Sequence, residues 1–152
     1  MKIKALVMDV DGTLTDGRIY IGRDGEVMKA FDVKDGYGIV HFRQCGGIPV
    51  IITGRRSAIV EQRCLELGIS ELHQGVNDKR SKLVEVMEKL GVSKEETAYI
   101  GDDLNDIECF SCVGISACPA DSVESVRTAA DYVCTQPGGR GAVREFVDYL
   151  LR

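Results

Sequence analysis

Two aspartates separated by a single residue follow an apolar segment near the start of the chain. Asp9 and Asp11 stand in the sequence Asp9-Val10-Asp11-Gly12-Thr13, directly after the apolar stretch 3–8. Carboxylates this close raise each other's pKa, and burial at a strand end adds to the cost of charging them. A divalent cation or a reacting phosphoryl group would offset that charge. An isolated pair of this kind is also compatible with an acidic turn.

A second acidic group makes the phosphoryl-transfer interpretation the stronger one. Asp102, Asp103 and Asp106 follow another apolar segment, residues 97–100, and Thr53 follows a third, residues 48–52. Lys79 opens an amphipathic segment further along. Together these residues offer a nucleophile, metal-binding carboxylates, a hydroxyl and an ammonium group. In-line phosphoryl transfer needs this set of groups.

The elements that must position these residues alternate along the chain. Apolar strands are predicted near 3–8, 48–52, 71–74, 97–100, 113–116 and 131–133, and helices near 35–45, 57–67, 79–90, 104–112, 122–130 and 141–151. Asp24-Gly25 lies between two alternating apolar segments and predicts a β-hairpin within residues 17–31. Repeated strand–helix units indicate an α/β fold, a Rossmann-like, doubly wound, mostly parallel sheet with helices on both faces. Ligands bind outside the carboxyl ends of such strands, so the residues above should converge at one edge.

Composition narrows the function classes. The 152 residues carry a net charge of −5, which argues against binding to nucleic acid or to a membrane surface. No apolar segment is long enough to span a bilayer, and no signal peptide is visible, so we expect a cytoplasmic chain with one domain over residues 1–152. The six cysteines have no second CxxC pair or histidine cluster, and we interpret them as buried hydrophobic residues rather than zinc ligands.

The four motifs, in this order, resemble those of the haloacid dehalogenase (HAD) superfamily of phosphohydrolases. The resemblance implies that Asp9 is the nucleophile that forms an aspartyl phosphate and that Asp11 is the general acid and base. It implies that Thr53 and Lys79 bind the transferring phosphoryl group. The implied cofactor is Mg²⁺, held by Asp9, the backbone carbonyl of Asp11 and Asp102. By the same resemblance, Asp103 and Asp106 orient Lys79 and the metal-bound waters.

The chain resembles one branch of this superfamily more closely, over nearly its whole length. No separate cap domain fits between the motifs, since residues 13–52 hold only a hairpin and a helix. The similar family comprises the 3-deoxy-D-manno-octulosonate (KDO) 8-phosphate phosphatases and phosphatases of related nine-carbon sugar acids. The segments that carry the similarity are 16–17 with the hairpin, 33–39, 52–55, 74–75, 98–103 and 138–145.

This closer resemblance implies a homotetramer built through the hairpins, and contacts to a small sugar acid phosphate. A carboxylate and a phosphate on one substrate suit bidentate arginine. Arg63 is predicted two turns beyond Arg55 on one helix, so that both face the site. The Gly138–Arg144 segment is expected to close over the site of a neighbouring subunit. The implied substrate-binding residues are Asp32, Val33, Lys34, Asp35, Gly36, Arg55, Arg63, Lys79, Arg140 and Arg144.

Three alternatives remain open from the sequence. Val40 occupies a position where some octulosonate phosphatases have a substrate-contacting arginine, which leaves a nine-carbon substrate such as a nonulosonate or N-acylneuraminate 9-phosphate possible. Some relatives are appended to CMP-sialate synthetases, so the chain could be a weakly catalytic tetramerisation module. An uncapped phosphatase acting on macromolecules is a third possibility.

Overall fold

A six-stranded sheet lies at the centre of the computed structural model, which describes residues 2–152. In chain order the elements are β1 (Ala5–Met8), β2 (Tyr20–Gly22), β3 (Gly25–Met28), α1 (Val33–Gln44), β4 (Ile48–Ile52), α2 (Ala58–Leu67), β5 (Glu71–His73), α3 (Lys79–Leu90), a 3₁₀ turn (Lys94–Glu96), β6 (Thr97–Ile100), α4 (Leu104–Phe110), β7 (Ile115–Cys118), α5 (Glu124–Ala129), β8 (Tyr132–Val133) and α6 (Ala142–Leu150).

All neighbouring strands of this sheet are parallel, in the order β5-β4-β1-β6-β7-β8. The first strand along the chain is therefore central, with Ala5 beside Ile48 of β4 on one side and Thr97 of β6 on the other. This register brings the residues that follow β1, β4 and β6 to the same edge. The predicted α/β fold is confirmed.

Alternation along β1 builds the two faces of the core, because successive side chains in a strand point to opposite sides. Leu6 and Met8 pack with apolar residues of α1, α2 and α6, whereas Val7 packs with those of α3, α4 and α5. All four residues of β1 are buried, as expected for a strand covered on both faces. Burying each of the larger side chains contributes about 1.5–3 kcal/mol, so the central strand is held firmly.

Local capping sets the helix boundaries. Asp32, Ser57 and Asp78 cap the N-termini of α1, α2 and α3 through side-chain oxygens. Gly68 and Gly91 end α2 and α3 in the left-handed conformation. Within residues 2–152, no helix is long and apolar enough to cross a membrane.

A few predicted boundaries were wrong by one to three residues. The helix predicted over 104–112 ends at Phe110, because Cys112 N–H turns back to the Cys109 carbonyl at 3.0 Å. The strand predicted at 113–116 begins at Ile115. Four of the six cysteines are buried as predicted, but Cys45 is exposed and Cys112 is only partly buried.

The predicted hairpin forms a separate two-stranded antiparallel sheet, β2–β3. Two of its apolar side chains are strongly exposed, Ile21 at 62% and Val27 at 61%. A hairpin that leaves such side chains in water has a surface suited to contact with another chain.

Candidate active site

The structure brings three of the four motifs into contact at the carboxyl edge of the sheet. Asp9 directly follows β1. Its N–H donates to the Ile100 carbonyl of β6 at 3.1 Å, which extends the parallel pairing of β1 with β6 by one residue. Lys79 begins α3, and its buried Nζ lies 3.0 Å from Asp9 Oδ1 and 2.9 Å from Asp106 Oδ1. Thr53 is buried directly after β4, the neighbour of β1.

Three carboxylates, Asp9, Asp102 and Asp106, form what we call the acidic cluster. Oxygens from all three lie within 4.8 Å of one another. Burial, reinforced by the charge of Asp106, raises the pKa of Asp9 to about 6. Burial, together with the contact with Asp9, raises the pKa of Asp102 to about 9. Charging all three carboxyl groups is therefore costly unless a cation joins them.

One ammonium group offsets part of this charge. Burial alone would lower the pKa of Lys79, but the charges of Asp9 and Asp106 more than reverse this and raise it to about 12. Lys79 stays protonated, and within residues 2–152 it is the cation that pairs with Asp9 and Asp106. Closely spaced, undercompensated carboxylate oxygens are what Mg²⁺ binds, so the residues present fit a divalent cation.

Asp106 is an orienting residue rather than a free metal ligand. Its Oδ1 accepts from Lys79 Nζ and from the Tyr99 hydroxyl at 2.6 Å, and its Oδ2 accepts the backbone N–H groups of Asp102 and Asp103. These four donors occupy the acceptor positions that a carboxylate offers. Asp106 therefore fixes Lys79 and the loop that carries Asp102.

Asp103 lies elsewhere. Its exposed side chain accepts the Leu104 N–H at 2.7 Å and caps α4, forming a reciprocal capping box with Asp106. Because its carboxylate caps the N-terminus of α4, Asp103 does not contact Lys79. The prediction that it orients Lys79 directly is not what the contacts show.

Close approach of the backbone shapes the loop after β1. Gly12 has φ +91°, and a Cβ atom there would overlap the Asp102 carboxylate. Gly138 lies so close to the Gly12 carbonyl that it has no room for a Cβ atom either. Thr13 donates its hydroxyl to Asp102 Oδ1 at 3.1 Å. The segment before α6 therefore covers the loop that carries Asp9 and Asp11.

Asp11 is not part of the acidic cluster, and its side chain contacts the hairpin. Its Oδ1 accepts from Lys29 Nζ at 2.5 Å, and its side chain is 19% exposed. The position suits a group that exchanges protons with something entering from solvent.

The predicted substrate-binding segment 32–36 is divided between surface and interior. The Asp32 carboxylate caps the N-terminus of α1, whereas Val33 and Lys34 are exposed. Asp35 is buried and accepts the Arg144 N–H of α6 at 2.9 Å, while Gly36 is buried beneath Arg63. The side chains of this segment that reach solvent are therefore mainly those of Val33 and Lys34.

The four predicted arginines also differ in setting. Arg55 is exposed in the loop before α2, so the expectation that it shares a helix with Arg63 is wrong: Ser57 begins that helix. Arg63 lies over the Phe31 ring at 5.5 Å, and Arg144 lies over a tyrosine ring and pairs with an aspartate of its own helix. Arg140 is exposed in the segment that leads to α6.

Comparison with known proteins agrees with this geometry. A family model for haloacid dehalogenase-like hydrolases matches residues 66–146. The 3-deoxy-D-manno-octulosonate 8-phosphate phosphatase KdsC of Escherichia coli K12 is 47% identical over 149 residues, which cover 98% of this chain and 79% of the relative. The chain belongs to the haloacid dehalogenase-like hydrolases.

Solved structures of this family superpose closely. A 3-deoxy-D-manno-octulosonate 8-phosphate phosphatase of Moraxella catarrhalis, in complex with a magnesium ion, a phosphate ion and KDO, has a TM-score of 0.95 at 45% identity, covering 98% of this chain and 86% of that one. The cobalt-bound Haemophilus influenzae phosphatase has a TM-score of 0.96 at 39% identity, covering 99% and 88%. The HAD-like fold and its family are thus established for this chain.

Sequence reasoning missed three side chains that contact this HAD-like site: Thr13, Lys29 and Tyr99. Thr13 and Tyr99 stand inside quoted motifs, but nothing in their spacing indicates which carboxylate they bind. Lys29 belongs to the hairpin, and its contact with Asp11 depends on how the hairpin folds back.

Proposed function

We propose that the chain is a magnesium-dependent phosphomonoesterase that hydrolyses a 3-deoxy-2-keto sugar acid phosphate of the KDO 8-phosphate type. The observation that carries the reaction is the buried contact of Asp9 with Lys79 beside Asp102. The substrate class is supported by relatives named as KDO 8-phosphate phosphatases at 47% identity and by the neighbouring structure that contains KDO.

Asp9 is the nucleophile. Its carboxylate oxygen attacks phosphorus and forms an aspartyl phosphate, while the bond from phosphorus to the sugar oxygen breaks. Asp11 donates a proton to the departing alkoxide and then removes one from the water that attacks the phosphoenzyme. Hydrolysis breaks the bond to Asp9 and releases phosphate, which restores both carboxyl groups.

Mg²⁺, which Asp9, Asp102 and the backbone carbonyl of Asp11 would hold, supplies positive charge that offsets that of the carboxylates and the phosphate. Lys79 provides a fixed, permanently charged donor to the phosphoryl oxygens, and Asp106 prevents it from turning away. The Thr53 hydroxyl is proposed as a second phosphoryl donor. Charges fixed before substrate arrives stabilise the transition state without reorganisation.

The sugar carboxylate is recognised by basic side chains near the entrance. Lys34, Arg55 and Arg140 are exposed and free to reach a bound anion, whereas Arg63 and Arg144 present guanidinium groups stacked on aromatic rings. Asp35, buried against α6, supports this surface by holding α6 against α1. In the same proposal, the polypeptide around Asp32, Val33 and Gly36 shapes the wall of the pocket.

We also propose that residues 1–152 form one domain that assembles as a cytoplasmic homotetramer through the hairpins. The support is the exposed apolar surface of β2 and β3, notably Ile21 and Val27. Burying such side chains between subunits would contribute to assembly.

Phosphate release in the presence of Mg²⁺ tests the function. We expect a much higher kcat/KM for KDO 8-phosphate than for hexose 6-phosphates, and comparison with nine-carbon keto acid phosphates decides the chain length. Val40, which is half-buried against the core, is the position that motivates the nine-carbon alternative. Equal rates on all these esters would refute the sugar-acid proposal.

Asp9→Asn tests the nucleophile. The variant should lose turnover while remaining folded, because removing a carboxylate from the undercompensated acidic cluster relieves repulsion. Asp24→Asn, on the exposed hairpin turn, is the matched control and should keep wild-type rates. An inactive wild-type chain that still assembles would favour the tetramerisation module instead.

A further inference from the structure

The Lys29 side chain is almost fully buried, although neighbouring side chains of the hairpin are exposed. It directly follows β3, whose Val27 is 61% exposed, yet the Lys29 side chain is only 2% exposed. Lysine is rarely buried unless its ammonium group is paired, because removing that charge from water is costly.

Two carboxylates pair with this ammonium group. Lys29 Nζ lies 2.5 Å from Asp11 Oδ1 and 3.7 Å from Glu26 Oε1. Glu26 is itself fixed, since its Oε1 accepts the Ser57 hydroxyl at 2.9 Å. Ser57 caps α2 just beyond the Thr53 loop. A continuous chain of polar contacts therefore joins Asp11, through the hairpin, to the loop that follows β4.

This arrangement constrains one oxygen of Asp11 and leaves the other available. Within residues 2–152, the side chain that hydrogen-bonds the Asp11 carboxylate is Lys29, and it does so at Oδ1. Asp11 is partly exposed, so without this contact its carboxylate could turn toward solvent. Proton transfer requires a heavy-atom distance of about 2.6–3.2 Å, which a freely rotating carboxylate seldom maintains.

We propose that Lys29 is a positioning residue that holds the Asp11 carboxyl toward the leaving oxygen of the substrate. The inference rests on the proposed function, in which Asp11 protonates that oxygen. Lys29 itself transfers no proton and contacts no substrate. It makes the hairpin a part of the catalytic apparatus as well as a surface for assembly.

Two leaving groups separate this role from a structural one. An alkyl phosphate releases an alkoxide that needs the proton from Asp11, whereas p-nitrophenyl phosphate releases a stable phenolate that does not. The comparison uses kcat/KM, which reports the steps up to departure of the leaving group and excludes hydrolysis of the phosphoenzyme. Lys29→Met should lower kcat/KM for the alkyl ester about 10²-fold and for the aryl ester less than about threefold.

Lys29→Arg, which keeps a charged donor, should restore most of the alkyl-to-aryl ratio. Lys89→Met is the matched control, because Lys89 is also ion-paired but lies exposed against Glu71. It should leave both rates unchanged. If Lys29→Met does not fold by circular dichroism, Lys29→Gln carries the same comparison, with the ratio again falling.

Equal losses on the two esters, or no loss on either, would overturn the positioning role. Failure of the substrate proposal would give a different result from failure of the positioning role. The wild-type protein would then not hydrolyse KDO 8-phosphate but would hydrolyse other primary alkyl phosphates, such as glycerol phosphate. The alkyl-to-aryl ratio would still be measurable on those esters. Hydrolysis of no alkyl ester at all would refute the reaction itself.

Discussion

Asp35 carries an unfavourable charge in the interior, and its removal should stabilise the protein at neutral pH. The residue lies in the first turn of α1 with 1% exposure, and its Oδ1 accepts the Arg144 N–H at the start of α6. Its Oδ2 has no hydrogen-bond partner in the described part of the chain. Burial raises the pKa of Asp35 to about 6, although the backbone N–H groups of α6 oppose the rise.

The raised pKa of Asp35 decides how the free energy of unfolding changes with pH. Because the folded protein holds the Asp35 proton more tightly than the unfolded chain does, stability falls as pH rises from about 4 to about 6 and is level above that. A rise in pKa from 3.8 to about 6 corresponds to about 3 kcal/mol. Interaction of the carboxylate with the N-terminus of α6 contributes about 0.3–1 kcal/mol in the other direction, and that pKa already includes it.

Asp35→Asn replaces the carboxylate with a neutral group that still accepts the Arg144 N–H. We expect the variant to exceed wild type by about 1 kcal/mol near pH 4.5 and by about 3 kcal/mol at pH 7.5. Urea unfolding followed by far-ultraviolet circular dichroism, with EDTA present and at one protein concentration, gives the difference at each pH.

Asp148→Asn is the matched control for this experiment. Asp148 is a half-exposed carboxylate that pairs with the Arg144 side chain on α6, so its replacement should change stability by less than about 1 kcal/mol at pH 7.5. An Asp35→Asn protein less stable than wild type at pH 7.5 would refute the reasoning. That result would mean that the contact with α6 outweighs the cost of burying the charge.

Three further outcomes follow from the site. Tyr99→Phe should lower stability by about 2 kcal/mol in urea unfolding, because it removes a buried hydrogen bond to the acidic cluster, whereas Tyr132→Phe, nearer the surface, should cost under about 1 kcal/mol. Gly12→Ala should abolish phosphatase activity because its methyl group displaces Asp102. Gly91→Ala, with φ +65° but open space around it, should cost about 1–2 kcal/mol in urea and leave kcat/KM unchanged. Finally, Mg²⁺ binding at pH 7 should release about one proton, since the pKa of Asp102 is about 9 without metal, and calorimetry in buffers of different ionisation enthalpy measures it; no proton release would contradict that pKa.

Sequence reasoning located the centre of the site because a general rule connects it to the fold. Residues at the carboxyl ends of neighbouring parallel strands lie at one edge of the sheet, so Asp9, Thr53 and Asp102 could be grouped from the sequence alone. Lys79 could be added because it opens the helix after β5. The alternation of apolar segments likewise sufficed for the strands and for most helix boundaries.

Contacts between segments that are distant in the sequence could not be predicted from these rules. Asp35 meets Arg144, 109 residues away, and Lys29 meets Asp11 only because the hairpin folds back on the β1 loop. These contacts depend on tertiary packing, which a local pattern of residue types does not encode. The placement of Arg55 on the helix of Arg63 was an error of another kind, because that helix was predicted over 57–67 and Arg55 precedes its cap, Ser57.

The order in which the ribosome makes the chain gives the central position of β1 a further consequence. β1, which Asp9 follows, is synthesised almost ninety residues before its partner β6, and Gly139 N–H donates back to the Thr13 carbonyl at 3.1 Å. Nascent chains that end before these segments emerge lack both the Asp102 loop and the cover over Gly12. The active site is therefore complete only after synthesis has passed Gly139, and chains that stop before that residue would be inert toward phosphate esters.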